Sequence, residues 1–168
     1  LMSIIALKAL GFKNIYAVDQ NQKNLSTAKK FGCKKIYNFN ILKDKNKFNI
    51  EINKETIKFN IELSGSEEMM QHAYKNLSKN GTFVLAGNPK VGQKIKINPY
   101  DLIFGKKIHG FSGNDVSLEE NINKYSKIVK KIGFSKIRSL YKTYSFKNIN
   151  IAINDFNKRK VLRPLIKF

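Results

Sequence analysis

The side chain best placed for chemistry ends the first strand-like run of the sequence. Ile15–Val18 is short and contains Ile, Tyr and Val, which are common in β-strands, and Asp19 follows it directly. A carboxylate at the carboxyl end of a parallel strand can accept hydrogen bonds from both hydroxyls of a ribose. Its negative charge would repel a 2′-phosphate. Asp19 therefore indicates a site for a nucleotide whose ribose is not phosphorylated.

The same carboxylate could instead cap the helix that follows it. The segment 21–31 carries Leu25, Ala28 and Phe31 on one helical face, and Asp is a common residue before a helix. A ribose-binding acid normally follows a glycine-rich turn by about 20 residues, and the 168 residues contain no GxGxxG motif. We expect that turn, and the first strand of the sheet, to precede Leu1. Both roles of Asp19 remain open at this point.

Strand-like and helix-like segments alternate through the first 113 residues. Apolar spacing predicts helices at 1–10, 21–31 and 66–77 and strands at 15–18, 35–37, 59–63, 82–86 and 107–111. Ser66 is a good N-cap, and Glu67 and Glu68 follow it, where acids suit the helix dipole. The polar stretch 39–55 is expected to form a strand or helix around a loop. This alternation predicts an α/β fold with a doubly wound parallel sheet of Rossmann type, lacking its first strand.

The pattern changes after Gly113. A long amphipathic helix is expected over Ser117–Ile132, a second helix over Phe146–Asn157, and a last strand over Val161–Phe168. We therefore expect a Rossmann-like nucleotide-binding domain at 1–112, truncated at its N-terminus, and a distinct C-terminal segment at 113–168.

The net charge of +20 suggests a nucleic-acid partner, but the residue types argue against one. Only three of the 32 basic residues are arginine, the residue that nucleic-acid readers favour for contacts to bases. Lysine, asparagine and isoleucine, which are all abundant here, share A/T-rich codons, so an AT-rich genome explains the excess. A basic nucleic-acid-binding module remains an alternative.

Four stretches, in order, resemble medium-chain, zinc-dependent alcohol dehydrogenases. They are LMSIIALKALGFKNIYAVDQNQKNLSTAKKFG at 1–32, IELSGSEEM at 61–69, GTFVLAGNP at 81–89 and INIAINDFNKRKVLRPLIKF at 149–168. The resemblance covers nearly the whole chain. It implies an oxidoreductase that transfers a hydride between an alcohol or polyol and its aldehyde or ketone, with NAD as the cofactor.

The resemblance also implies which residues hold that cofactor. The backbone of Leu63 and Ser64 would pass the adenosine side. Ala86, Gly87 and Asn88 match the strand-end tripeptide beside the nicotinamide ring. Glycine at the middle position would let the backbone approach the ligand closely.

Two charged residues complete the implied cofactor site. Asp19 matches the family's ribose-binding acid, which favours NAD over NADP, although Asn24 stands where the family often has a basic residue. Arg163 matches an arginine that reaches the pyrophosphate, a task suited to a guanidinium fork. The alternative for Arg163 is a surface charge beside the last strand.

The resemblance implies no catalytic residue and no metal ligand within this chain. In the family, an N-terminal GroES-like domain supplies the zinc ligands and the proton relay, and the segment 113–168 packs on that domain. We therefore expect a C-terminal fragment that is inactive alone, with zinc present only in the full-length enzyme. A quinone-reductase-like enzyme without zinc is the second alternative.

We expect the full-length protein to be a cytoplasmic homo-oligomer that acts on a small alcohol and has no membrane partner. The sequence contains no apolar run near the roughly 20 residues of a membrane span, and its single cysteine cannot form an internal disulfide. Cys33 is expected to be a buried apolar residue, His72 a surface residue, and His109 a packing residue of an edge strand.

Replacing Arg163 tests its implied role. We expect Arg163→Ala to raise the Kd for NAD roughly tenfold, because a charge-assisted contact of about 1.5 kcal/mol would be lost. Calorimetric titration of the full-length protein measures this change. Unaltered binding would remove Arg163 from the site.

Overall fold

The computed structural model describes residues 1–40, 52, 56–113 and 117–168. Three separate sheets are formed by its strands, which are β1 (Tyr16–Asp19), β2 (Lys35–Asn38), β3 (Phe59–Glu62), β4 (Thr82–Leu85), β5 (Lys107–Gly110), β6 (Tyr141–Ser145) and β7 (Arg163–Lys167). The sheets contain β1–β2, β3–β4–β5 and β6–β7. Pairing is parallel in the last two. The predicted α/β class with parallel sheets is confirmed.

Helices connect these strands. They are α1 (Met2–Ala9), α2 (Gln22–Lys30), α3 (Glu67–Lys75), α4 (Pro99–Ile103), α5 (Leu118–Ile132), α6 (Phe134–Arg138) and α7 (Ile149–Asn157), with a 3₁₀ turn at Phe146–Asn148. The predicted N-cap is confirmed, since the Ser66 side chain accepts the Met69 N–H. Most of the predicted stretch 39–55 lies outside the described residues. No helix in the described ranges is long and apolar enough to cross a membrane.

Three of these elements were not anticipated from the sequence. The strand β6 and the short helices α4 and α6 had no predicted counterpart. The start of α4 does carry a local signal, because Asn98 caps the Tyr100 N–H and Pro99 occupies the first turn. The polar sequence of β6, YKTYS, has no such signal, and its pairing with the distant β7 defines it.

The chain divides into two compact units. One contains 17–25 and 36–117, and the other contains 1–16, 26–35 and 118–168. The predicted domain boundary at 112/113 stays a prediction, because these units describe packing within this chain alone.

The core of the first unit centres on Phe83 of β4, which is fully buried. Met70, Tyr74 and Leu77 pack with it, so α3 is fixed against the middle strand of the sheet. Beside this core, the Lys106 Nζ atom lies 3.2 Å from the Asp101 carboxylate and 4.9 Å from the Tyr74 ring centre. This ion pair ties α4 to the start of β5.

The core of the second unit contains Ile5, Ile137 and Leu140. Partly buried apolar residues of α5, Val129 and Ile132, pack against it. The periodic apolar faces predicted for residues 1–10 and 117–132 therefore serve one cluster.

A polar cluster in the second unit holds α7 to β6. Asp155 is buried, and it accepts a 2.8 Å hydrogen bond from the Tyr144 hydroxyl. Lys142 and Lys160 place their Nζ atoms 3.4 and 3.8 Å from the same carboxylate. The Tyr144 hydrogen bond, helped by both lysines and opposed by burial, lowers the pKa of Asp155 below its usual value.

This lowered pKa makes stability depend on acid pH. The unfolded carboxyl, with a pKa of about 3.9, takes up its proton before the folded one does, so stability falls as the pH drops from about 5 through the folded pKa. We expect Asp155→Asn to lower Tm at pH 7 and to flatten the decrease in Tm between about pH 5 and 3. Circular dichroism melts across this range measure both effects. The control Glu119→Gln, at an exposed site, should keep the wild-type profile, and an unchanged profile for Asp155→Asn would contradict the assignment.

Candidate functional site

Three parallel strands end at the same level in the first unit. The register pairs Glu62 of β3 with Leu85 of β4, and Leu85 with Gly110 of β5. The loop after each strand therefore begins at one edge of the sheet. In open α/β folds this carboxyl edge is where ligands bind.

Five of the seven predicted cofactor-binding residues meet at this edge. Leu63 and Ser64 follow β3 directly, and Ala86, Gly87 and Asn88 follow β4. Leu63, Ser64 and Asn88 are exposed, while Ala86 and Gly87 are half-buried. The structure thus brings them together from two segments of the sequence, with part of each loop open to solvent.

Two glycines allow the loops after β3 and β4 to touch. A Cβ added at Gly87 would lie 2.8 Å from the Leu63 carbonyl carbon and would clash with the Gly65 nitrogen. Gly65 has a φ of +67° and leaves no room for a Cβ beside the Asn88 carbonyl. Only glycine satisfies both close approaches, and this brings bare backbone to the strand ends.

Asp19 ends β1, as predicted, and its carboxylate is engaged with the start of α2. Oδ1 accepts the Asn21 N–H at 2.7 Å, and Oδ2 accepts the Asn24 side-chain amide at 3.0 Å. The N-cap of α2 is Asn21, whose Oδ1 accepts the Lys23 N–H at 2.8 Å. Asp19 therefore holds the turn before α2 and does not itself cap the helix. Each carboxylate oxygen can accept a second hydrogen bond, so a ribose hydroxyl could still bind. Asn24, at the position that is often basic in the family, holds the carboxylate from the helix side.

Arg163 belongs to the second unit. It is exposed at the start of β7, where it pairs in register with Tyr141. Its contact with a pyrophosphate stays a prediction.

The other candidates have ordinary surroundings. Cys33 is 3% exposed, and burial raises the pKa of its thiol against the opposing charges of Lys8 and Lys29, so the predicted apolar role is confirmed. His72 is half-buried and makes an edge contact with Phe39, with ring centres 5.5 Å apart. His109 is exposed on β5. Within the described ranges, no three His, Cys, Asp or Glu side chains lie close enough to hold a metal ion.

Sequence reasoning missed one residue of this edge. Glu62, the last residue of β3, is buried, and its side chain binds the turn that follows. The available signal was an acid that ends an apolar strand and stands directly before Leu-Ser-Gly. From the sequence alone, an acid at this position is expected to face solvent, and only the structure shows that this strand end is buried.

The parallel strands and their level carboxyl ends define a Rossmann-type α/β domain. A family model described as zinc-binding dehydrogenase matches residues 1–131. The chain therefore belongs to the zinc-binding dehydrogenase family, and the resemblance noted from its sequence is confirmed. A search of curated proteins returns no significant match.

Solved structures agree with this fold. An alcohol dehydrogenase zinc-binding domain protein from Burkholderia ambifaria has a TM-score of 0.85 and 24% identity, over 99% of this chain and 45% of that one. Benzyl alcohol dehydrogenase from Acinetobacter calcoaceticus has a TM-score of 0.79 and 29% identity, over 99% and 46%. The chain thus spans about half the length of these structures.

One solved neighbour was determined with NADH. It is a short chain alcohol dehydrogenase from Escherichia coli CFT073, with a TM-score of 0.77 and 17% identity over 98% of this chain and 48% of that one. The solved neighbours also include an NADP complex. These similarities show the fold. Which cofactor this chain binds must be argued from its own residues.

The tight contact at Gly87 predicts that adding a single methyl group there lowers the stability of the protein, whereas the same change at Gly110 does not. We expect Gly87→Ala to lower the free energy of unfolding by about 1–3 kcal/mol, because its Cβ meets backbone that cannot move away cheaply. Urea denaturation measures the loss. Gly110→Ala is the matched control, since it ends β5 at the same level and has nothing within 4 Å of an added Cβ. Equal stability for the two variants would contradict the close approach.

Proposed function

We propose that this chain is the cofactor-holding portion of an NAD-dependent alcohol or polyol dehydrogenase. The observation that carries the proposal is the level edge of β3, β4 and β5, where Gly65 and Gly87 present bare backbone in a chain of the zinc-binding dehydrogenase family. Bound NAD would supply the hydride chemistry, and these residues would hold and aim it.

The division of labour within the proposed site follows from position. Asp19 offers acceptors for the ribose at the end of β1. The loops at 63–65 and 86–88 offer backbone groups and a close surface for the rest of the cofactor. We assign the alcohol substrate, the catalytic zinc and its ligands to protein outside these 168 residues, and we expect the chain alone to be inactive. The cytoplasmic homo-oligomer expected from the sequence is part of the same proposal.

Cofactor preference tests the role of Asp19. We expect the full-length protein to bind NADH at least roughly tenfold more tightly than NADPH, because the carboxylate repels a 2′-phosphate. Asp19→Ser should bring the two affinities close together. Fluorescence titration of the two reduced cofactors measures the ratio.

The variant Asp19→Asn separates the two roles of this residue. The amide oxygen of Asn can still accept the Asn21 N–H, and the Asn24 amide can rotate to accept from the new NH₂ group, so the turn before α2 should keep its stability. The loss of charge should still erode the cofactor preference. An unchanged ratio in Asp19→Asn would show that Asp19 serves only to hold the turn before α2.

Salt dependence tests the alternative of a nucleic-acid-binding module. Phosphate contacts along a nucleic acid release many counterions, so such binding weakens steeply with salt. We expect NADH binding to change far less between 50 and 200 mM salt, a range over which extensive phosphate contact costs about 10³-fold or more. Tight, salt-sensitive binding of duplex DNA without NADH binding would overturn the proposal.

A further inference from the structure

Glu62 is one of two buried carboxylates in the described part of the chain, with 5% of its surface exposed. A buried carboxylate is costly unless hydrogen bonds replace its lost water. Oε1 accepts the Ser64 N–H at 2.7 Å and also the Ser64 hydroxyl, and Oε2 accepts the Gly65 N–H at 3.1 Å. All three donors belong to the turn after β3, so this side chain fixes the shape of the turn.

The backbone of the same residue fixes the neighbouring loop. The Glu62 carbonyl accepts the Ala86 N–H at 3.0 Å and the Gly87 N–H at 2.9 Å. Its carboxylate also borders Gly87, where an added Cβ would lie 2.8 Å from Oε2. One residue thus joins the loops after β3 and β4 through five hydrogen bonds.

The Ser64 hydroxyl is used inside this network. It donates to Glu62 and accepts the Ser66 N–H at 3.1 Å, at the N-cap of α3. Its proton is therefore directed away from any ligand at the strand ends. Ser64 would meet a cofactor through its backbone, whose position depends on Glu62.

We propose that Glu62 is a positioning residue for the nucleotide cofactor. It holds the 63–65 turn against the 86–88 loop, so that their backbone presents one continuous surface, and it acts through Ser64 and Gly65 rather than by touching the ligand. This inference rests on the function proposed above. The requirement is for a side chain that accepts three hydrogen bonds and donates none, which a carboxylate meets and an amide of the same shape does not.

The test compares NADH binding by three variants of the full-length protein with binding by the wild type. Glu62→Gln keeps the size but turns an acceptor into a donor against the turn. Glu62→Asp keeps the carboxylate with a shorter reach. Glu67→Gln makes the same charge change at an exposed site five residues along. Fluorescence titrations are made at a temperature where circular dichroism shows each protein to be folded, so that a loss of stability alone does not alter the Kd.

We expect Glu62→Gln to raise the Kd for NADH roughly tenfold, Glu62→Asp to lie between it and the wild type, and Glu67→Gln to bind within about twofold of the wild type. If Glu62→Gln does not fold, an intermediate Kd for Glu62→Asp carries the same conclusion. Wild-type affinity in the folded Glu62 variants would overturn the positioning role while leaving the proposed function intact. Failure of the wild type to bind NADH would overturn both.

Discussion

The parallel register of β3, β4 and β5 is the constraint on which the candidate site depends. Because Glu62, Leu85 and Gly110 are paired across the sheet, the three following loops must start at one edge. Loops that start so close together must pack backbone against backbone. Glycine at positions 65 and 87 makes this packing possible, since neither position can accommodate a Cβ. The bare backbone at the strand ends is thus a direct consequence of the register.

The two buried carboxylates show one physical rule with two outcomes. Glu62 compensates its burial with backbone and hydroxyl donors from its own turn, so it organises a loop. Asp155 compensates its burial with Tyr144 and two lysines, so it joins α7 to β6. In a chain with 12 acidic and 32 basic residues, lysines are so abundant on the surface that their positions do not point to a site. The two buried acids do mark particular places, because each requires its own set of hydrogen-bond donors.

Asp19 shows how a sequence prediction can be right about position and incomplete about role. The strand end and the following helix were both predictable from local pattern. The structure adds that Asn21 and Asn24 already bind the carboxylate, which leaves one acceptor position on each of its oxygens. Asn24 replaces the family's frequent basic residue, and its amide holds Asp19 without adding a charge. The position of Asp19 was thus predictable from the sequence, whereas its hydrogen-bond partners were known only from the structure.

The sequence by itself determined the α/β class, most helices and strands, the Ser66 cap and the placement of Leu63, Ser64, Ala86, Gly87 and Asn88 at strand ends. These features depend on apolar periodicity and on residues within one turn of each other, which the sequence displays directly. Only the tertiary structure decided that β6 is a strand, that Glu62 is buried and accepts five hydrogen bonds, and that Tyr144 reaches Asp155. The β6–β7 pairing, the Tyr144–Asp155 contact and the two bonds from Ala86 and Gly87 to the Glu62 carbonyl all join separate segments, and such contacts arise only once the chain has folded. The three bonds to the Glu62 carboxylate are local, but the burial that makes them necessary comes from the fold.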